Sequence, residues 1–189
     1  GTVRLDELAK REGDDISIEW KSFLLRPVAE ERSREDFATY TASWSRPAGL
    51  EPATSFTFPW TGSEPPESSV PSAIAGKVAA SFGAAAGRRF HLELLEAYFT
   101  HNRTISDLET LLDVAEQAEI DRDMFAASYH DQRQSLLRQV YEEHNLAVSS
   151  GVTGVPAVVI DQQFIVPGAV EVEQYVKVLE HVRAERASS

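Results

Sequence analysis

The chain contains no cysteine. Within its 189 residues this excludes a disulfide framework, a thiolate metal site and a cysteine nucleophile. Basic residues are scarce as well: 18 Lys and Arg against 30 Asp and Glu leave a formal net charge of -12. A polyanion would meet repulsion over most of the surface, which argues against nucleic acid or an anionic membrane as partner. No apolar run approaches the roughly 18 residues that a membrane span requires. Gly1 to Arg11 is charged and lacks the apolar segment of a signal peptide.

What remains is an ordinary globular composition, 42% hydrophobic and 25% charged, on a chain long enough to bury about 70% of its unfolded surface. The expectation is one domain with a sizeable insertion. Residues 3–12 place Leu5, Leu8 and Ala9 on one face and Gly13 after it, the pattern of a short amphipathic helix. Ile16, Ile18 and Trp20 then alternate with Ser17 and Glu19 up to Leu25 and Pro27, which predicts a strand. Between Arg26 and Pro71 six prolines interleave with Trp44, Phe56, Phe58 and Trp60. This segment reads as a long irregular excursion whose aromatics either bind a ligand or, more simply, anchor the loop to the body.

From Ser72 to Ser150 the periodicity is helical in four or five segments. Ser106 to Glu109 reads as a capping box, Asp121 as the cap of a short helix through Phe125, and Leu136 to Tyr141 as part of a longer one. Gly83 and Gly87 read as helix-breaking or close-packing positions, since no strand precedes them to make a phosphate loop. After Gly151-Val152-Thr153-Gly154-Val155-Pro156, the runs Ala157–Ile160 and Phe164–Val166 flank a polar turn and predict a hairpin, and Val172 to Val182 predicts a closing helix.

Few side chains suggest chemistry. His91, His101, His130, His144 and His181 show no metal-ligand spacing, and no metal is expected. Ser149, Ser150 and Thr153 have no base at triad spacing. Asn102-Arg103-Thr104 fits the glycosylation tripeptide, a pattern that chance supplies often.

The order helix, strand, helical insertion, hairpin, helix resembles the thioredoxin fold of the DsbA-like family, in particular its FrnE-type branch. The likeness is carried by Trp20-Lys21-Ser22-Phe23 with Leu25 and Pro27, Ala97-Tyr98-Phe99 with Ile105, Leu112 to Ala115, Asp121 with Phe125, and above all Gly151 to Pro156 with Gly168-Ala169. It implies an α/β thioredoxin-like fold built from residues 1–27 and 151–189, a connecting loop over 28–71 and a helical insertion over 72–150. It also implies a cis Val155–Pro156 bond, with Thr153, Gly154, Val155 and Pro156 presenting backbone to an extended substrate. That family carries Cys-x-x-Cys after a first strand, and neither is found here. The expectation is therefore that both would lie upstream of Gly1, leaving no catalytic residue in this chain.

The resemblance implies thiol–disulfide exchange on a protein disulfide or small thiol, a cytoplasmic location and no resident cofactor, with homodimerisation left open. A second reading is a relative of 2-hydroxychromene-2-carboxylate isomerase and the kappa glutathione transferases, which use bound glutathione. Lys77, Arg88 and Arg89 could hold that anion, although ordinary helix-surface charge is the simpler account. The third reading is a redox-silent thioredoxin-like binding module.

Overall fold

The computed structural model of the chain describes residues 1–51, 54–62 and 64–188. Among them are eight α-helices and one two-stranded antiparallel sheet. They form two compact units, Gly1–Phe23 with Glu142–Ser189, and Leu24–Tyr141.

In the first unit, α1 (Thr2–Glu12) buries Leu5 and Leu8. Lys10 and Arg11 complement the dipole at its last turn, and Gly13 ends it with φ 57. The strands β1 (Ala157–Ile160) and β2 (Phe164–Pro167) pair with Ala157 opposite Pro167 and Ile160 opposite Phe164. Asp161 and Gln162, with φ of 54 and 58, turn the chain between them, and the Gln163 N–H closes the turn on the Ile160 carbonyl at 3.1 Å. This is the backbone of a type I′ turn, reached here without glycine. Helix α8 (Val172–Ser188) contributes Val172, Tyr175, Val176 and Val182 to one cluster with Leu5, Leu8 and Ile160. Val158, Phe164 and Val166 pack against that cluster, whereas Val159, on the other side of the pleat, is exposed.

The strand expected over Ile16–Leu25 does not form. Ile16 is extended, with φ -131 and ψ 153, but the segment joins no ladder among the described residues. Its contacts run to side chains instead: the Ser22 N–H donates to Glu143 at 2.7 Å, and Phe23 meets His144 edge-on at 5.1 Å. Alternation encodes an extended backbone with two unlike faces. A ladder also needs a neighbour in register.

The second unit is helical. Its layers are α4 (Val70–Ser81), α5 (Ala84–Phe99), α6 (Leu108–Gln117) and the first part of α7 (Arg122–Ser149). Gly83 caps α5 with φ 115. A Cβ on Gly87 would stand 2.9 Å from the Ala80 Cα, so glycine here lets α4 and α5 approach backbone to backbone. Ile74, Val78, Phe90, Leu111, Val114, Phe125 and Val140 form the fully buried centre.

Two expectations about these helices need correction. The segments predicted through Phe125 and over Leu136–Tyr141 are one uninterrupted helix, α7, of 28 residues. No glycine or proline lies between Arg122 and Ser149 to break it. The α6 cap is Asp107 rather than Ser106: its carboxylate accepts the Thr110 N–H at 3.0 Å, while Ser106 Oγ accepts from Glu67. Aspartate is at least as good a cap as serine, and the cap moves along by one residue without the reciprocal bond of a box, since the Asp107 N–H donates to the Thr104 carbonyl.

The excursion is less irregular than its prolines suggest. It holds α2 (Arg34–Thr41), capped by Ser33, then a 3-10 turn and α3 (Ser45–Leu50). Its aromatics are anchors: Phe37, Trp44 and Trp60 are buried, with Phe56, Tyr98 and Phe99 packed against them. Trp44 lies edge-on to Phe99 at 4.9 Å and Phe37 to Trp60 at 5.1 Å. Thr41 Oγ1 accepts the Trp60 N–H at 2.8 Å and donates to the Phe37 carbonyl at 2.9 Å.

Candidate active site

The site gathers in the first unit, where the start of α1 meets the loop that opens the hairpin. Val152 is buried and holds the loop down, while Thr153, Val155 and Pro156 are exposed and Gly154 is half-buried. The Val155–Pro156 bond is cis. The Gly168 N–H donates to the Pro156 carbonyl at 2.8 Å, just beyond the Ala157–Pro167 pair. Gly168 can do so because it adopts φ 81, a conformation glycine takes without strain.

Gly1, the N-cap of α1, closes the arrangement. A Cβ added there would come within 3.0 Å of the Pro156 Cβ and 3.2 Å of its Cγ. The helix has no side-chain cap and no acidic residue in its first turn, so its positive dipole end lies beside Pro156 without an opposing carboxylate there. Arg4 fixes this register. Its guanidinium donates to the Ala169 carbonyl at 2.6 Å and pairs with Glu171 at 3.1 Å, tying α1 to the turn that follows β2. Tyr175 supports the same turn by donating to the Gly168 carbonyl at 3.5 Å, and burial pushes its hydroxyl pKa up, so it stays a donor. Arg4 and Tyr175 escaped the sequence reading. Arg4 and Ala169 are 165 positions apart, and no local pattern announces such a pair.

The other candidates disperse. The described residues contain no cluster of three or more potential metal-ligating side chains. His101 lies 3.4 Å from Glu96, and His181 lies beside Glu185 and edge-on to Phe164. Ser149 Oγ donates to the Leu146 carbonyl. Asn102 is buried, its carboxamide oxygen accepting from Thr61 and its nitrogen donating to the Thr57 and Tyr98 carbonyls, which leaves no amide for a glycan. Arg89 donates to the Ala118 carbonyl at 2.9 Å and pairs with Glu119 at 3.4 Å, while Lys77 and Arg88 are half-buried in the same helical unit.

A helix start held against a proline-headed hairpin, with a helical unit inserted between the two halves, is a layout with known relatives. The family model for a DSBA-like thioredoxin domain matches residues 1–180. The chain belongs to that family. The DSBA-like fold is shared with the cytosolic disulfide reductase DsbM from Pseudomonas aeruginosa, which matches with a TM-score of 0.68 at 12% identity, over 98% of this chain and 89% of that one. No curated protein matches the sequence. The DSBA-like domain thus has a thioredoxin fold, mostly helical, with a small two-stranded sheet. Among its described residues no helix is long and apolar enough to cross a membrane.

Proposed function

We propose that this DSBA-like domain is the scaffold of a thiol–disulfide oxidoreductase of the FrnE-type branch, acting on protein disulfides or small thiols in the cytoplasm. The observation that carries the reading is the contact between Gly1 at the head of α1 and Pro156 at the head of the hairpin. Thr153 to Val155 would hold an extended substrate: Val155 is 52% exposed, and its backbone has no hydrogen-bond partner among the described residues. An extended chain pairs with such groups by strand-like addition.

The reaction needs a thiolate beside the N-terminus of α1, where the helix dipole favours the charged form. That thiolate attacks one sulfur of the substrate disulfide, a mixed disulfide forms, and the other sulfur leaves as a thiolate. A second thiol then attacks the mixed disulfide, closes a new disulfide and releases the substrate reduced. The 189 residues hold no cysteine, so on this reading both thiols come from residues encoded ahead of Gly1.

The test is to read the coding sequence ahead of Gly1 and to assay insulin reduction by the full gene product. Cys-x-x-Cys and turnover that disappears when both cysteines become serine support the reading. A lone serine or cysteine there would point to the glutathione-dependent isomerases and transferases, and neither residue to a redox-silent module. Turnover that survives loss of both cysteines would overturn it.

A further inference from the structure

In the helical unit, well separated in sequence from Pro156, hydrogen-bond donors lie together with more N–H and O–H groups than the described residues accept. Arg26 follows the extended segment and is half-buried. Its guanidinium lies over the Phe37 ring at 4.9 Å and the Tyr40 ring at 5.8 Å. Only one of its N–H groups meets protein, donating to the Pro66 carbonyl at 2.8 Å. A guanidinium carries five such donors, and no carboxylate among the described residues pairs with this one. In a chain with 30 acidic residues a half-buried arginine without an acidic partner is unexpected.

Three more groups lie near it: Tyr40 against the guanidinium, and Tyr98 and Arg32 within electrostatic reach. The charges of Arg26 and Arg32 and the phenol of Tyr40 all act on the Tyr98 hydroxyl. That hydroxyl makes no hydrogen bond among the described residues, and burial pushes its pKa up to about 12, so it remains a donor at any physiological pH. Arg32 is held only by Glu30 at 3.8 Å. Tyr40 is half-exposed, which leaves this corner open to solvent. The backbone of Arg26 is meanwhile pinned: its N–H donates to Ser69 Oγ, and its carbonyl accepts from the Ser69 N–H and Ser68 Oγ. The guanidinium is therefore preorganised, lying against the neighbouring Phe37 and Tyr40 rings with its remaining donors unspent.

We infer that Arg26, Arg32, Tyr40 and Tyr98 form a binding site for an oxyanion, the carboxylate or phosphate group of a small ligand. The two guanidiniums offer donors only and the two protonated phenols add O–H donors, and the planar fork of Arg26 suits either anion. The site would act against the repulsive field of an acidic protein, so its affinity should fall as salt is added. This inference stands apart from the redox reading and needs no thiol.

The test titrates the 189-residue chain with inorganic phosphate and, separately, with succinate at constant ionic strength, reading heat and backbone amide shifts. Saturable binding by phosphate alone, or by succinate alone, supports the site and names its anion; saturation by both supports the general oxyanion form. Arg26→Gln keeps a donor for the Pro66 carbonyl while removing the charge, and should weaken binding about tenfold or more. Arg32→Gln, on a more exposed side chain, should weaken it severalfold and leaves folding unaffected, so it covers the case in which Arg26→Gln unfolds. Absence of saturation with both anions, or affinities unchanged in Arg32→Gln and in a folded Arg26→Gln, would overturn the inference.

Discussion

The two units of this chain bury apolar surface by different means. In Leu24–Tyr141 the helices surround an apolar centre in which Phe90 and Phe125 stack at 5.4 Å and Ile74, Leu111 and Val114 are buried. In the unit of Gly1–Phe23 and Glu142–Ser189, two helices cover one side of a hairpin, while Val155 and Val159 stay half in water. A short hairpin needs such support to persist at all. The helical unit holds its shape by packing, whereas the candidate site lies where the backbone is held by a few specific bonds such as Arg4 to Ala169 and Gly168 to Pro156. Binding loops commonly sit on the less protected part of a scaffold, because a chain already sealed on all sides has no groups left to offer.

The largest effect that would sharpen this contrast comes from emptying each core in turn. Phe90→Ala should cost about 3–5 kcal/mol, and Leu8→Ala about 2–3 kcal/mol, the lower half of the range for buried leucine, because a thinly covered core relaxes more readily. Amide exchange measured residue by residue should show each loss concentrated in its own unit. If both substitutions lowered protection equally along the whole chain, the units would be one cooperative body and the contrast would fail.

Gly87→Ala probes how closely the helical unit is packed. Alanine favours a helix by about 1 kcal/mol over glycine, but overpacking at 2.9 Å from the Ala80 Cα should outweigh that gain, for a net loss of about 1–2 kcal/mol. A urea midpoint that rises instead would mean that α4 and α5 move apart easily. Next in size is the α6 cap. Asp107→Ala should lose about 1 kcal/mol, and Ser106→Ala less than about 0.5 kcal/mol. Reversed values would restore Ser106 as the cap.

That last pair also shows where the sequence could be read and where it could not. The start of α6 was legible to within one residue, because Ser106 and Asp107 are both competent caps and only geometry chooses between them. The α1 periodicity and the Ala157–Ile160 and Phe164–Val166 runs predicted their elements directly, since each pattern reports a local face that must be buried. Ile16 to Leu25 misled because alternation is local and pairing is not. The helices of the excursion were hidden by its prolines, although Ser33 ahead of Asp36 is a cap signal. At the candidate site the loop Thr153–Pro156 was legible as a contiguous motif. Arg4, Tyr175 and the Arg26 corner were not, because each is defined by partners that only the fold brings near.

The smallest expected effect is electrostatic, and it asks whether surface charge adds to what packing already secures in the helical unit. Asp113 accepts hydrogen bonds from Arg122 and Arg103, both at 2.6 Å, and these hold its carboxyl below the ordinary value of 3.8, the Arg122 bond contributing most. A carboxylate with a depressed folded pKa stabilises the fold above its unfolded pKa, and that contribution is lost as pH falls through the lower folded value. Asp113→Asn should therefore be slightly less stable than the parent at neutral pH, by no more than a few degrees in melting midpoint, since the Asp113 side chain is 42% exposed and water screens the pair. The two melting curves should converge as the pH drops below 3.8, and at neutral pH added salt should narrow the same gap. A gap that persists unchanged into acid would mean that Asp113 acts through shape rather than charge, and the helical unit would then owe nothing measurable to the charge of its pairs with Arg103 and Arg122.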